Sequence, residues 1–202
     1  MKRPRKLVVV HDGTVHFDEA LSVAMLKTLF DVTVVRTRDI VKLEDADMRV
    51  DVGGRFNPDT GDFDHHQPDA PRRANGVKYA AAGLVWLAFG DRICGDKDVA
   101  ELVDRVLIQS GDAADNGESP WKHLHNPTPY TVSFMAEAFN PTWLETDLTE
   151  EQAFEQAVEF ASLVLARNIA QAKAGVAART LIRQAAVERE DPRILVLDRK
   201  LP

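Results

Sequence analysis

Apolar, β-branched segments in the first third of this chain lead directly into histidine and aspartate, and this arrangement limits the folds open to it. The first such segment is followed at once by His11. A second closes with Asp51, and a predicted hairpin runs into Asp64, His65 and His66. In open α/β sheets, ligands gather beyond the carboxyl ends of the strands. We therefore expect three separate segments to converge at one edge of a sheet.

The spacing of apolar residues alternates along the chain between the period of a strand and that of a helix. Strands are predicted at residues 6–10, 31–37 and 48–52, with a hairpin at 55–65 around an Asn-Pro-Asp-Thr-Gly turn. Helices are predicted at 18–30, 79–89, 97–109 and near 129–138. A long helix opens at a capping box of Thr149 and Gln152 and runs to about residue 186, with Gly175 as a potential interruption, before a strand-like run at 194–197. This pattern predicts an α/β fold with a largely parallel sheet flanked by helices and a long C-terminal helix.

The composition is that of one ordinary globular domain, with 45% hydrophobic and 28% charged residues in a chain of 202. No apolar run approaches the roughly 20 residues that span a bilayer, and the run after the basic start is too short for a signal peptide. We therefore expect a cytoplasmic protein without a membrane span. The only cysteine, Cys94, excludes an internal disulfide and a cysteine-rich zinc site, and we expect it in the core.

A histidine and carboxylate cluster, His11-x4-His16-x-Asp18-Glu19, precedes the Asp-His-His triplet. Four of the chain's six histidines lie in these two clusters. Imidazole and carboxylate groups together are the ligands of catalytic divalent metal sites. For the two carboxylates the alternative is a stabilising position at the start of a helix, where the helix dipole favours negative charge. For each histidine alone it is an ordinary loop or buried side chain, but the combination favours a metal site.

A fourth segment, residues 110–117, offers Asp112 and Asp115. We expect these residues in a glycine-flanked loop after the helix predicted at 97–109. The alternative for such a composition is a helix-terminating loop with Asx turns. A second metal ion would need a carboxylate from this segment.

Basic residues follow the triplet in a loop rich in proline, alanine and glycine. Arg72, Arg73 and Lys78 are candidates to hold substrate phosphates, and the alternative is a solvated basic loop. The formal net charge of −7 argues against a broadly basic nucleic-acid surface. It does not exclude a phosphate substrate, because bound metal ions would reverse the local field. Near Trp121 a base-stacking surface is conceivable, but such a residue more often packs a loop, so His123 and His125 are not assigned to the site.

The order of the four motifs resembles that of the DHH phosphoesterase superfamily. More narrowly, it is similar to the melanocyte-proliferating-gene-type exonuclease family, once described as metal-dependent protein hydrolases. The resemblance spans residues 11–117, with looser similarity to the end of the chain. Four motifs in this order are specific, whereas any one alone would be weak.

The resemblance implies a role for each site residue. His11 and His16 would bind the first metal ion with Asp51, which would bridge to the second, and His16 stands where most superfamily members have an aspartate. The second metal ion would be held by Asp18, His65 and Asp115. His66 would meet the phosphoryl oxygens of the substrate, and Asp64 would orient a histidine. Glu19 and Asp112 would lie outside the ligand set, close enough to support it.

The implied chemistry is two-metal hydrolysis of a phosphodiester, in which Asp51, Asp64 and His66 serve catalysis. Oxygen and imidazole ligands without thiolate favour manganese. The resemblance implies a 3′–5′ exonuclease whose partner is RNA or a short oligonucleotide, and a homo-oligomer is compatible with it. The alternatives are a phosphoesterase or pyrophosphatase for small molecules, or a metal-binding domain without activity.

The sequence departs from the family pattern at three points. Residues 80–83 read Ala-Ala-Ala-Gly where relatives usually have Ser-Ser-Ala-Gly, which removes two hydroxyls. Phe17 replaces a common cysteine at a position that is not expected to bind metal. Relatives also continue into a second domain that closes over the substrate. We therefore expect residues 1–190 to form the metal-binding catalytic domain and residues 191–202 to begin a truncated or absent second domain.

Overall fold

The computed structural model describes residues 2–118, 130–188, 191, 194–197 and 200–201. Within them one sheet is formed by β1 (Arg5–Val10), β2 (Asp31–Arg36), β3 (Met48–Val50), β4 (Phe56–Asn57) and β5 (Asp62–Phe63). The strand order is β2-β1-β3-β5-β4, and neighbours run parallel except for β4, which is antiparallel to β5. The predicted α/β class, parallel sheet and hairpin are therefore confirmed.

Seven α-helices accompany this sheet in the described part of the chain. They are α1 (Phe17–Leu29), α2 (Ile40–Glu44), α3 (Ala81–Cys94), α4 (Lys97–Val103), α5 (Gln109–Asp115), α6 (Val132–Glu137) and α7 (Glu150–Glu188). A 3-10 turn, Pro58–Thr60, joins β4 to β5, and a π-helical turn, Asp104–Ile108, joins α4 to α5.

Helix α1 lies at the centre of the core. Every residue from Phe17 to Leu26 is buried, and α1 packs against both α3 and α7. A helix buried on all sides needs such a position between other elements. From α7, small and aromatic side chains including Ala157, Ala161 and Phe154 join the same core. This packing fixes α1 from two sides and thereby fixes the carboxylates in its first turn.

Some predicted boundaries are wrong. The helix expected to end at residue 109 continues through the π-helical turn and α5 to Asp115, so the glycine-flanked segment expected as a loop is helical. Gly111 suits this position because α5 passes close to Phe17, whose ring would lie 3.4 Å from an added Cβ. Helix α3 starts at Ala81 and extends to Cys94 rather than covering residues 79–89, and the short helix α2 was not predicted.

The long C-terminal helix is confirmed together with its capping box. The N–H of Thr149 donates to Oε1 of Gln152 at 2.9 Å, and the N–H of Gln152 donates to Oγ1 of Thr149 at 3.2 Å. Helix α7 has 39 residues and Gly175 does not interrupt it. Residues 194–197, expected as a strand, have no strand structure, and none of the described strands pairs with them.

The remaining expectations concern individual residues. Cys94 is buried, as predicted, and the short helix expected near 129–138 is α6. Trp121, His123 and His125 lie outside the described residues. None of the described helices is long and apolar enough to cross a membrane.

Candidate metal centre

Loops that follow three parallel strands meet at one edge of the sheet and bring the predicted clusters together. His11 follows β1, Asp51 follows β3, and the Asp-His-His triplet follows β5. The first turn of α1 and the last turn of α5 reach the same place. Potential ligand atoms lie within 4.8 Å of one another in three groups: His11, His16, Glu19 and Asp51; Asp51, His65 and His66; and His16, Asp18 and Asp115.

Asp51 lies at the centre of the cluster in a strained backbone conformation. Its φ of 55° is the only positive φ of a non-glycine residue in the described part of the chain, and such strain persists where the surrounding structure enforces it. Oδ2 lies 3.1 Å from Nε2 of His11, and Oδ1 lies 3.3 Å from Nε2 of His65. The two oxygens of one carboxylate thus face two different histidines, which is the arrangement of a bridging ligand.

The ring of His11 presents one nitrogen to this cluster. Nδ1 lies 2.9 Å from the carbonyl oxygen of Asp12, and because a carbonyl only accepts, this nitrogen carries a proton. Nε2 faces the carboxylates of Asp51 at 3.1 Å and Glu19 at 3.5 Å. An imidazole electron pair among carboxylate oxygens is repelled unless a proton or a metal cation lies between them.

Asp18 is buried without a hydrogen-bond donor. It is 1% exposed, and neither of its carboxylate oxygens has a hydrogen-bond partner among the residues that the structure describes. Its neighbour Asp115 adds a like charge, and Nε2 of His65 lies 3.2 Å from Oδ2 of Asp115. Buried carboxylates are stable when they are paired or coordinate a metal. The donor set of imidazole nitrogen and carboxylate oxygen therefore fits a divalent cation.

The pKa values of the cluster reflect the same crowding of negative charge. Burial and the charge of Asp51 raise the pKa of Asp18 to about 7. Burial and the charge of Asp18 raise the pKa of Asp115 to about 7 and that of Glu19 well above its usual range. Burial opposes the charged forms of Asp51 and His65 as well. Hydrogen bonds and opposite charges from His11 and His65 outweigh it at Asp51, whose pKa is lowered. The hydrogen bond with Asp51 and the charges of Asp18 and Asp115 outweigh it at His65, whose pKa is raised to about 9.

Asp64 anchors the triplet through both of its oxygens. Oδ1 accepts from the N–H groups of His65 at 2.7 Å and His66 at 3.2 Å, and it lies 2.7 Å from Nδ1 of His66. Oδ2 accepts from the N–H of Gly54 at 2.6 Å. Asp64 is therefore placed to orient the ring of His66, whose side chain is 63% exposed.

Two of the predicted site residues, Arg73 and Asp112, pair with each other instead of joining the histidine and carboxylate cluster. Arg73, expected to bind substrate, is buried, donates to Asp112 at 2.5 Å and to Asp104 at 2.8 Å, and stacks 4.0 Å above the ring of Tyr79. Asp112 also accepts from the N–H of Gly83 at 2.9 Å. Asp115 thus lies in the cluster. Asp112 instead forms an ion pair with Arg73 and accepts a hydrogen bond from the first turn of α3.

This use of Asp112 explains how α3 begins without a hydroxyl or carboxylate at its own N-cap residue. Its N-cap residue, Ala80, has no side chain that could accept from the first N–H groups of the helix. Asp112 supplies that acceptor from α5. Residue 83 has to be glycine, because an added Cβ would clash with the Asp112 carboxylate.

A cleft of about 980 Å³ opens over the metal-ligand cluster. Arg38, Arg72 and Lys78 line it, and His66 lies at its wall. Arg72 is half exposed and forms an ion pair with Glu118 at 3.2 Å. Arg38 was not predicted as a site residue. It follows β2 at the same edge of the sheet as His11, so the rule that ligands gather beyond the carboxyl ends of strands applies to it as well.

Residues 7–202 match the family MYG1_exonuc, an uncharacterised protein family (UPF0160). The MYG1 exonuclease of Homo sapiens is 34% identical over 183 residues, which cover 79% of this chain and 48% of the human protein. The MYG1 exonuclease of Bos taurus is 32% identical over 219 residues, or 93% and 58% of the two chains. The MYG1 protein of Dictyostelium discoideum is 28% identical over 220 residues, or 96% and 67%. The chain spans about half the length of the mammalian relatives, and no solved structure matches it.

Proposed function

Because the chain belongs to the MYG1_exonuc family, we propose that its histidine and carboxylate cluster is the two-metal centre of a phosphodiester hydrolase. The substrate is RNA or a short oligonucleotide, cleaved from its 3′ end, and the preferred metal is manganese. Relatives named MYG1 exonuclease support the reaction class. The order of motifs supports a place in the DHH phosphoesterase superfamily.

The observation that carries this proposal is the position of Asp51 between two histidines. One of its oxygens faces His11 and the other faces His65, so one carboxylate can serve two cations at once. Asp18 supports the second cation, because its buried oxygens have no donor within the described ranges. An ion pair with a purely structural role would need neither a carboxylate between two histidines nor a buried carboxylate without a donor.

The ligands divide into two sets around Asp51. His11 and His16 hold the first cation with Asp51, and Asp18, His65 and Asp115 hold the second. When bound, two such cations neutralise charge on phosphoryl oxygens and make water a nucleophile near neutral pH. The donor set, rich in imidazole and free of thiolate, favours manganese over magnesium.

His66 acts on the substrate rather than on the metal. Asp64 holds its Nδ1, which leaves Nε2 for the cleft. In its protonated form His66 donates a hydrogen bond to a phosphoryl oxygen or a proton to the leaving oxygen. Its side chain is largely exposed at the edge of the cluster, whereas those of His65 and Asp51 are almost fully enclosed, which supports this division of roles.

Substrate phosphates on either side of the reacting one are held by the basic wall of the cleft. Arg38, Arg72 and Lys78 line this wall. Arg73 is excluded from this role by its buried ion pairs. Three basic side chains around one cleft suit a polyanionic substrate despite the net charge of −7.

The chain spans about half the length of the mammalian relatives that it matches. We propose that residues 1–190 form the catalytic domain and that residues 191–202 are the start of a second domain. A domain that closes over a substrate would help to position it.

The test is hydrolysis of a short oligoribonucleotide by metal-stripped protein after addition of manganese. Asp51→Asn should lower turnover by at least about 10²-fold, as expected when transition-state charge stabilisation is lost. Asp59→Asn, an exposed acid in the turn Pro58–Thr60, is the matched control and should turn over normally. Equal turnover by wild type and Asp51→Asn would contradict the proposed centre.

A second comparison tests substrate and polarity. An RNA with a free 3′ end should be degraded from that end, and the same RNA with a blocked 3′ end should persist. Preference for a small phosphate ester or pyrophosphate over both RNAs would retain the metal chemistry and overturn the proposed substrate.

A further inference from the structure

Glu19 has a structural role that accounts for only one of its two carboxylate oxygens. Oε1 accepts the N–H of His16 at 2.8 Å, as in a capping box at the start of α1. Oε2 is buried and has no hydrogen-bond partner in the described ranges of the chain. The side chain has no exposed surface. Since glutamine serves a capping box as well as glutamate does, capping does not explain why an ionisable group is buried here.

The surroundings of Glu19 are metal ligands. Oε1 lies 3.5 Å from Nε2 of His11, the ring nitrogen that faces the cluster. Glu19 also shares a group with His16 and Asp51, in which potential ligand atoms all lie within 4.8 Å of one another. Two imidazole nitrogens and two carboxylate oxygens form a complete ligand set for a first-row divalent cation.

Charge balance across the cluster also favours Glu19 as a ligand. Two divalent cations bring four positive charges into a largely buried site. Asp18, Asp51 and Asp115 supply three carboxylates, and Glu19 supplies the fourth. Buried charges are tolerated when each is matched by an opposite charge in good geometry.

We propose that Glu19 is a ligand of the first cation, which it holds together with His11, His16 and Asp51. This inference rests on the proposed two-metal function and refines it, since sequence similarity placed Glu19 outside the ligand set. The role makes the first site a four-ligand site and leaves the second to Asp18, His65, Asp115 and the shared Asp51.

The variant Glu19→Gln separates the two roles of this residue. It retains the volume and the oxygen that accepts from His16, so the capping box persists. It removes the charge, and its amide group adds donors for neighbouring carboxylates. The matched control is Glu151→Gln, which changes an exposed first-turn glutamate of α7 in the same way.

The experiment is calorimetric titration of metal-stripped protein with Mn²⁺, with thermal unfolding of the metal-stripped form as a second readout. Wild type and Glu151→Gln should bind two ions. Glu19→Gln should lose at least about tenfold in affinity at one site, since even residues that merely hold a ligand contribute about 10–100-fold. Its metal-free form should unfold at the wild-type temperature or above, because the repulsion is relieved.

Two outcomes would overturn the inference, and they differ in meaning. If Glu19→Gln binds both ions with wild-type affinity, Glu19 is a capping residue only and the proposed function stands. If the wild type binds no Mn²⁺, the two-metal function fails and the inference fails with it.

A measurement on the wild type tests the inference if Glu19→Gln does not fold. Protein grown with ¹³C-labelled glutamate should show a shifted glutamate carboxylate stretch in the infrared spectrum on addition of Mn²⁺. Absence of any glutamate band from the difference spectrum would overturn the assignment.

Discussion

Nδ1 of His66 lies 2.7 Å from Oδ1 of Asp64. Asp64 is itself fixed by backbone N–H groups, including that of Gly54. Nδ1 of His66 is thereby held by Asp64, and Nε2 is available to a substrate in the cleft. This pairing distinguishes His66 from its neighbour His65, whose Nε2 lies between the carboxylates of Asp51 and Asp115. Adjacent residues of one triplet therefore have different surroundings, which is what the proposed division of roles requires.

His66→Ala should retain two Mn²⁺ ions and lose about 10²–10⁴-fold in kcat, the usual contribution of a positioned acid or base. His65→Ala, the matched change at the adjacent residue, should lose metal affinity. Metal titration and kcat measured on the same preparations check both. Loss of one metal ion from His66→Ala would instead make His66 a ligand, as its closeness to Asp51 also permits.

Arg73→Met should destabilise the fold by about 3–5 kcal/mol, because it leaves Asp112 as a buried charge without its ion-pair partner. Urea unfolding measures this change. The same substitution at the neighbouring Arg72, which is half exposed, should change stability by less than about 0.5 kcal/mol and raise KM for an oligonucleotide. The reverse pattern, with a stable Arg73→Met of raised KM, would return Arg73 to the substrate site.

These two arginines show where sequence reasoning reaches its limit. They are adjacent in one basic loop, and composition does not tell which of them faces solvent. The loop is closed by a bridge between Arg72 and Lys78, which turns Arg73 inward onto Asp104 and Asp112. Burial of one member of such a pair depends on partners that lie more than 30 residues away.

The residues of the candidate metal centre were more predictable, because the rule that places them is local. His11 and Asp51 follow β-branched runs, and residues at the carboxyl ends of parallel strands meet whatever the rest of the fold does. Asp115 lies in the cluster as predicted, but it lies at the end of helix α5 and not on a loop. Glycine and serine suggested a loop there, whereas α5 packs against α1 and α3 and buries Gly111, Asp112 and Ala113. Tertiary packing overrode local propensity.

Asp62 was missed, although it holds the hairpin that carries the triplet. It is 1% exposed, lies opposite Arg49 in the parallel β3–β5 pairing, and binds both Arg49 and Arg55. Asp62→Asn should destabilise the protein by about 3 kcal/mol, the lower end of the usual cost of breaking a buried ion pair. The cost is at the lower end because Arg49 keeps backbone carbonyl acceptors such as that of Leu43. Urea unfolding at pH 7 measures the loss.

The same residue sets a dependence of stability on pH. Burial raises the pKa of Asp62, but hydrogen bonds from Thr60, Arg49 and Arg55 outweigh it and lower the pKa below the unfolded value of 3.8. The stabilisation is therefore complete above about pH 4 and is lost as the pH falls through the folded-state pKa. The difference in unfolding free energy between wild type and Asp62→Asn should shrink below pH 4. A difference that is constant from pH 7 to pH 3 would contradict this assignment.

A bridged pair of metal ions is tested most directly by electron paramagnetic resonance of the Mn²⁺-loaded protein. Two Mn²⁺ ions that share the Asp51 carboxylate lie about 3.5–4 Å apart, so their spins should couple. We expect the wild type to bind two ions per chain and to show the multiline spectrum of a coupled pair, and Asp51→Asn to show only isolated Mn²⁺. A wild-type spectrum of isolated ions, or a stoichiometry of one, would contradict the two-metal centre.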